Sequence, residues 1–218
     1  MPNKIRTLAS DTLTRERITE AVEGFARRHC KSGTVYDIGG VRGHPYGKFF
    51  SDYRTINIDR KERPDVLANA ERLPFKDNAI ENMMCIAMLE HVKDPEAIVR
   101  EMHRVMKKRG RALVWVPFYW REHNYPIDIC RFTRQGINAL LERHGFRIIE
   151  SESAPYSGFF FVLSHNVRFL MKDPHKARYY DPLLYLHAIL CYMSRLDSVF
   201  KLEYPHVYTG VEVVVEKK

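Results

Sequence analysis

The sequence has no Cys-x-x-Cys pair and no Cys/His spacing of the kind that builds a metal centre, so no metal is expected. Its four cysteines, Cys30, Cys85, Cys130 and Cys191, are widely separated and lie in stretches that otherwise read as core or helix. A disulfide framework is therefore not expected. No run of about 18 apolar residues marks a spanning helix. The opening Met1-Pro2-Asn3-Lys4-Ile5 lacks the apolar stretch and small-residue cleavage site of a secretory leader, so reduced thiols in a cytoplasm are the expectation. Internal repeats and low-complexity segments are missing too. The formal charge is +8, but the basic residues are scattered among acids, with only short clusters at Arg27-Arg28 and Lys107-Lys108-Arg109. A solvated charged face is expected from that pattern. With no Asn/Asp-Pro-Pro-Tyr loop and no aromatic-basic ladder, nucleic acid is not an expected partner.

What is present is enough apolar material, 45% of 218 residues, for one substantial core. A single domain is expected: an N-terminal helical segment over 1–31, a core over 32–153, a helical insert over 154–206 and a final strand over 207–218. The stretch from Val35 to Asp59 organises the rest. A β-prone run, Thr34 to Ile38, breaks into Gly39, Gly40 and Gly43, and a second run, Thr55 to Ile58, ends in Asp59. Glycine permits a positive φ or a close ligand, and an acid about 20 residues on, at the tip of the next parallel strand, can bind both ribose hydroxyls. The pattern predicts a nucleoside-bearing cofactor.

Ile18, Val22 and Phe25 recur at helical spacing and predict a leading amphipathic helix over about 14–29, packed on the sheet edge. His44-Pro45-Tyr46 and Phe49-Phe50 predict a shortened, irregular first crossover. Asp65 to Ala68 reads as a short third strand, and Ile80 to Met88 as a buried fourth. Asp94 and Pro95 then open a helix that Gly110 is expected to end. A fifth strand follows over Arg111 to Pro117. Thr133 caps a helix over Arg134 to His144, stopped by Gly145. Phe146 to Ser153 and Gly210 to Glu216 are strands six and seven. Between them lies an almost wholly apolar run, Leu183 to Met193, which something must cover.

With these segments in order, the chain resembles the class I S-adenosylmethionine-dependent methyltransferases, in the small-molecule branch that includes the quinone methylases. Asp37-Ile38-Gly39-Gly40-Val41-Arg42-Gly43 is similar to the family's D-x-G-x-G-x-G, with Val41 where a glycine is usual. Asn69-Ala70-Glu71-Arg72-Leu73-Pro74-Phe75 is similar to D-A-E-x-L-P-F, with Asn69 for aspartate. The run from Leu89 to Pro117 resembles L-E-H-V-x-D-P…E-x-x-R-V-L-K-P-G-G. His123 to Thr133 looks like the H-x-x-P-x-D-x-x-R-F-T segment of a subgroup associated with glycan pathways. The resemblance implies a Rossmann-like α/β fold: a seven-stranded, mostly parallel sheet with an antiparallel last strand and helices on both faces.

It also implies that S-adenosyl-L-methionine is the cofactor, held by Asp37, Gly39, Gly40, Asp59, Arg60, Asn69 and Ala70. Cys85, Ala87 and His91 would complete that site. His91 could instead act as a base or fix its loop. His123 and Asp128 are the candidate catalytic residues, and Tyr119 and Arg131 the candidate substrate contacts; an internal Asp128–Arg131 ion pair is the competing reading. The implied reaction moves a methyl group to oxygen on a small-molecule, glycan or lipid-linked acceptor. The 183–200 apolar helix would serve as pocket wall, homodimer surface or peripheral membrane contact. Two other functions stand against this one. A non-catalytic cofactor-binding or scaffolding subunit would fail to bind S-adenosylmethionine or need a partner, and a nicotinamide oxidoreductase lacks its complete G-x-G-x-x-G here.

Overall fold

The computed structural model describes residues 12–30, 33–123, 127–171, 182–202 and 206–218. The chain divides into two compact units. One comprises Glu20–Phe118, Glu122–Glu152 and Val211–Lys218; the other comprises Met1–Thr19, Tyr119–Arg121 and Ser153–Gly210.

The first unit carries a seven-stranded sheet of order β3-β2-β1-β4-β5-β7-β6. Its strands are β1 (Thr34–Ile38), β2 (Asp52–Asn57), β3 (Val66–Leu67), β4 (Ile80–Ile86), β5 (Met106–Pro117), β6 (Phe146–Glu152) and β7 (Gly210–Lys217). β1, β2, β3, β4 and β5 pair in parallel, and β6 pairs antiparallel with β7. The expected fold is therefore the one observed. Apolar runs buried on both faces, such as Met83, Met84 and Cys85 in β4 and Ala112 to Val116 in β5, suit central parallel strands. The helix α1 (Thr12–His29) buries Val22 and Phe25. Its last turn is tied to the edge strand β6 by Arg28 and His29, which meet Glu150 at 2.8 and 2.9 Å. The first crossover is, as expected, only a 3-10 turn over Pro45–Phe49.

The helix α2 (Pro95–Val105) starts where its cap predicts, with the Asp94 side chain accepting from the Ala97 N–H at 3.0 Å. Its end differs from the expectation. The helix stops at Val105, and β5 begins at Met106 rather than Arg111. Tertiary partners take the carbonyls that a longer helix would use. The N–H groups of Asn78 and Ala79 donate to Arg104 and Val105 carbonyls at 3.1 and 2.8 Å. The Lys217 ammonium donates to the carbonyls of His103 and Met106 at 2.6 and 2.8 Å, a cation at the negative end of the helix. Gly110 falls inside a register shift between β4 and β5; a Cβ there would lie 2.8 Å from the Glu81 carbonyl.

The α2 pair Glu101 and Arg104 clamps the turn after β3. Glu101 accepts from the Leu73 N–H at 2.7 Å, while Arg104 reaches Glu101, Asp77 and the carbonyls of Leu73 and Phe75. The next helix, α3 (Arg134–Arg143), opens on Thr133, whose hydroxyl accepts from the Gly136 N–H at 3.0 Å. Gly145 takes a φ of +89° directly after it.

The second unit is helical, with α4 (Phe159–Leu170), α5 (Pro182–Met193) and α6 (Leu196–Val199) all lying between β6 and β7 in the chain. Asp197 receives the N–H groups of Phe160 and Phe161, both at 3.0 Å, and so anchors the start of α4. One stripe of α5, Leu184, His187, Leu190 and Cys191, is buried; Tyr185, Leu186, Ile189 and Tyr192 remain exposed. No helix among the described residues is long and apolar enough to cross a membrane.

Candidate functional site

Parallel pairing brings the carboxyl ends of β1, β2, β3 and β4 to one edge of the sheet. The strand order reverses at β1, which has β2 on one side and β4 on the other, and ligands of open α/β sheets bind at such a switch point. Gly39, directly after β1, has a φ of +79°, and a Cβ there would lie 2.8 Å from the Met88 side chain. Gly40 lies against Asp37, where a Cβ would approach Oδ2 to 2.7 Å. Both positions need glycine, one for its backbone and both for space. Val41 needs no such allowance, because it is not among the positive-φ residues. Asn57, at the end of β2, donates to the carbonyls of Gly39 and Gly40 at 3.2 Å each, fastening the two strand tips together.

Asp37 is buried, and its Oδ2 accepts from the Tyr53 hydroxyl at 2.5 Å. Burial pushes its carboxyl up to about 7, against the opposing pull of that hydrogen bond. Asp59 is exposed beyond the tip of β2. One of its oxygens accepts from the Lys61 N–H at 2.8 Å; the other has no partner among the described residues. Arg60 begins the exposed 3-10 turn that Asp59 caps. After β3, the Asn69 side-chain oxygen accepts from the Glu71 N–H at 3.0 Å, and Ala70 is buried beside it. Ala87, just past β4, is held at a φ of +50°, a conformation a non-glycine residue rarely takes. Cys85 is one step inside the strand and wholly buried, so its thiol is core. A glycine turn kept clear of side chains, with an outward acid at the tip of the next strand, fits a nucleoside-bearing cofactor.

A second cluster stands after β4. Leu89–His91 forms a 3-10 turn, and the segment 127–131 is laced to it. The Ile129 N–H donates to the Glu90 carbonyl at 2.8 Å, and Nδ1 of His91 lies 2.5 Å from the Ile127 carbonyl. His91 thus does fix its loop. Asp128 is the hub of that segment. Arg131 grips both of its oxygens, one at 2.6 Å, and the His123 N–H donates to Oδ2 at 2.8 Å. Nδ1 of His123 is 3.1 Å from the same oxygen. The Arg131 guanidinium holds the Asp128 carboxyl well below the usual carboxylate range.

The ion pair foreseen as the competing reading is present, and it also carries His123. Tyr119 is not part of this group. Its hydroxyl donates to Asn166 of α4 at 2.6 Å, within the helical unit.

Residues 51–114 match the family model described as a methyltransferase domain. An uncharacterized protein of Methanocaldococcus jannaschii is 34% identical over 127 residues, covering 53% of this chain and 54% of that one. A ubiquinone/menaquinone biosynthesis C-methyltransferase of Stenotrophomonas maltophilia is 31% identical over 84 residues, 38% of this chain and 28% of that one. Over these residues the chain is similar to S-adenosylmethionine-dependent methyltransferases.

The fold is similar to that of geranyl diphosphate C-methyltransferase from Streptomyces coelicolor A3(2). The TM-score is 0.58 at 11% identity, over 91% of this chain and 77% of that one. That protein was solved with Mg2+, geranyl diphosphate and S-adenosyl-L-homocysteine. The chain spans about half the length of the Methanocaldococcus relative it matches. Two residues that the motifs alone did not single out matter to its site. Tyr53 supports Asp37, and Glu90 is wholly buried with neither carboxylate oxygen hydrogen-bonded among the described residues. Burial pushes the Glu90 carboxyl up to about 7. In the sequence it is the acid of the Leu89-Glu90-His91-Val92 run, which gave no sign of its burial.

Proposed function

We propose that this chain binds S-adenosyl-L-methionine at the Gly39–Asp59 edge and transfers its methyl group to an oxygen of a small-molecule, glycan or lipid-linked acceptor. The observation that carries the proposal is the alignment of the glycine turn, the outward Asp59 and the Asn69-Ala70 turn along one sheet edge, with the His123–Asp128–Arg131 group in the same unit. Asp59 would take the ribose hydroxyls and Asn69 with Ala70 the adenine edge. Gly39 and Gly40 would admit the cofactor to backbone, and Asp37 would shape the turn from beneath. When bound, the cofactor supplies a methyl group already activated by a sulfonium centre, whose C–S electron pair stays on sulfur as the new O–CH3 bond forms.

The residues of the chain then have two tasks: to hold the acceptor in line and to receive its proton. Asp128, kept ionised by Arg131, positions the His123 imidazole and stabilises it when charged. His123 accepts the acceptor's proton, and Arg131, tied to Asp128, borders the acceptor. Because its hydroxyl is engaged with Asn166, Tyr119 is assigned to the helical unit rather than to this proton path. The whole chain works as one methyltransferase domain in this reading. Ile189 and Tyr192 of α5 are exposed, an apolar surface on the helical unit that a second copy would cover in this reading.

Calorimetric titration with S-adenosylmethionine and S-adenosylhomocysteine tests the cofactor assignment. Micromolar binding that Asp59→Ala weakens by about tenfold or more, roughly 1.4 kcal/mol, is the expected result. Absence of binding by folded protein would reject the assignment in favour of a scaffold.

A further inference from the structure

Glu90 has no exposed surface, and among the described residues neither Oε1 nor Oε2 has a hydrogen-bond partner. A carboxylate left this way costs several kcal/mol unless a cation or proton joins it. Nε2 of His91 stands 3.7 Å from Oε1 of Glu90, beyond hydrogen-bond reach. The tautomer of His91 follows from its other nitrogen: a carbonyl only accepts, so Nδ1, 2.5 Å from the Ile127 oxygen, carries the proton. In that tautomer Nε2 of His91 presents its lone pair beside the Glu90 carboxylate. Two acceptors at that separation repel each other unless something positive lies between them.

His123 completes the group. Its ring meets that of His91 edge-on, with centroids 4.9 Å apart, and its Nδ1 lies 3.1 Å from the buried Asp128. A carbonyl behind one imidazole and a carboxylate behind the other is the support that orients metal-binding histidines. One ligand atom from each of Glu90, His91 and His123 lies within 4.8 Å of the others. Bonds of about 2.1 Å at tetrahedral angles put ligand atoms about 3.4 Å apart, so side-chain movements on the order of 1 Å close the set. The local charge also suits a cation. Glu90 and Asp128 are acidic, and the guanidinium between them, Arg131, is committed to Asp128.

We infer that Glu90, His91 and His123 form a three-ligand site for a divalent transition-metal ion of the zinc class, with a coordination position left for the acceptor's oxygen. Two imidazoles and one carboxylate favour zinc, cobalt or manganese over calcium or magnesium, which prefer all-oxygen shells. The binding of the ion stands on these side chains alone; the role of the acceptor rests on the methyl-transfer reading. In that role the ion acidifies the acceptor's hydroxyl and its proton leaves to water; with the ion bound, this replaces the proton transfer to His123 proposed above for the ion-free chain.

The test uses the full chain, stripped with a chelator and titrated with Co2+ and then Zn2+ alone. Cobalt absorption and bound-metal analysis are read together. One ion per chain is expected, with a visible cobalt band of a four- or five-coordinate site that Zn2+ bleaches. Glu90→Gln and His123→Gln, each checked for folding by circular dichroism, should weaken binding about tenfold or more. His123 is partly exposed, so its variant decides the matter if the Glu90 variant does not fold. No tight binding by the folded chain, or binding that both substitutions leave intact, overturns the site. A parallel S-adenosylmethionine titration separates the two readings. Cofactor binding without the ion rejects only the metal site, whereas ion binding without the cofactor rejects only methyl transfer.

Discussion

The glycine edge and the Glu90–Arg131 cluster lie in one unit, yet they are assembled in opposite ways. At the glycine edge, the residues that matter are short-range neighbours in sequence. Gly39 and Gly40 directly follow β1, Asp59 follows β2, and their bonds run mostly to the next strand tip. In the cluster, a turn after β4 meets a segment that enters only after α2 and β5. Its hub, Asp128, is almost fully buried and collects a guanidinium, an imidazole and a backbone N–H. The first region tolerates variation, since Val41 occupies the turn without a left-handed backbone. The second has little slack, because each partner of Asp128 would be left exposed to a cost if the carboxylate were lost.

Asp128→Asn is the sharpest way to break that contrast. It should lower turnover about 100-fold or more, equivalent to roughly 3 kcal/mol, while the affinity for S-adenosylmethionine stays within about twofold. Single-turnover kinetics beside calorimetry would check this, and a parallel loss of cofactor binding would show that the two regions are not separable.

Asp37 gives a pH signature at the glycine edge. Its folded pKa, about 7, is raised above the usual carboxylate value, so the folded chain binds the extra proton between about pH 4 and 7. Its contribution to stability is therefore fully present below the unfolded pKa and is lost as pH rises through 7. The full span is on the order of 4 kcal/mol. Asp37→Asn should remove this component, and denaturant melts of both proteins from pH 4 to 8 should converge at the acid end.

Smallest in effect is Glu101→Ala, which takes the clamp from the Leu73 N–H and from Arg104. A stability loss of about 1–2 kcal/mol is expected by chemical denaturation. Cofactor affinity should also fall modestly, because this clamp sets the turn that carries Asn69 and Ala70. Unchanged affinity would mean that the glycine edge does not depend on α2.

Much of the fold was legible because its signals are periodic or local. The apolar strands, the Asp94 and Thr133 caps and the Gly145 stop each announce themselves within a few residues. The end of α2 was not legible. Its last carbonyls are taken by Asn78, Ala79 and Lys217, and Lys217 is almost the last residue of the chain. At the site, the family motifs marked Gly39, Asp59, His91, His123, Asp128 and Arg131. They could not tell that Tyr119 would pair with Asn166, that the Cys85 thiol would be core, or that His91 would lean on the Ile127 carbonyl.

The sequence by itself determined the order of strands and helices, the places where backbone must turn, and the family that the chain resembles. Those follow from residue-by-residue sterics and from side-chain periodicity, which need no distant partner. The tertiary structure alone decided the electrostatic state of the buried groups. Whether Glu90 finds a hydrogen bond, which nitrogen of His91 carries its proton and which charge Asp128 faces depend on segments brought together by sheet pairing. In a low-dielectric interior those distances set energies of several kcal/mol, and nothing in the local sequence specifies them.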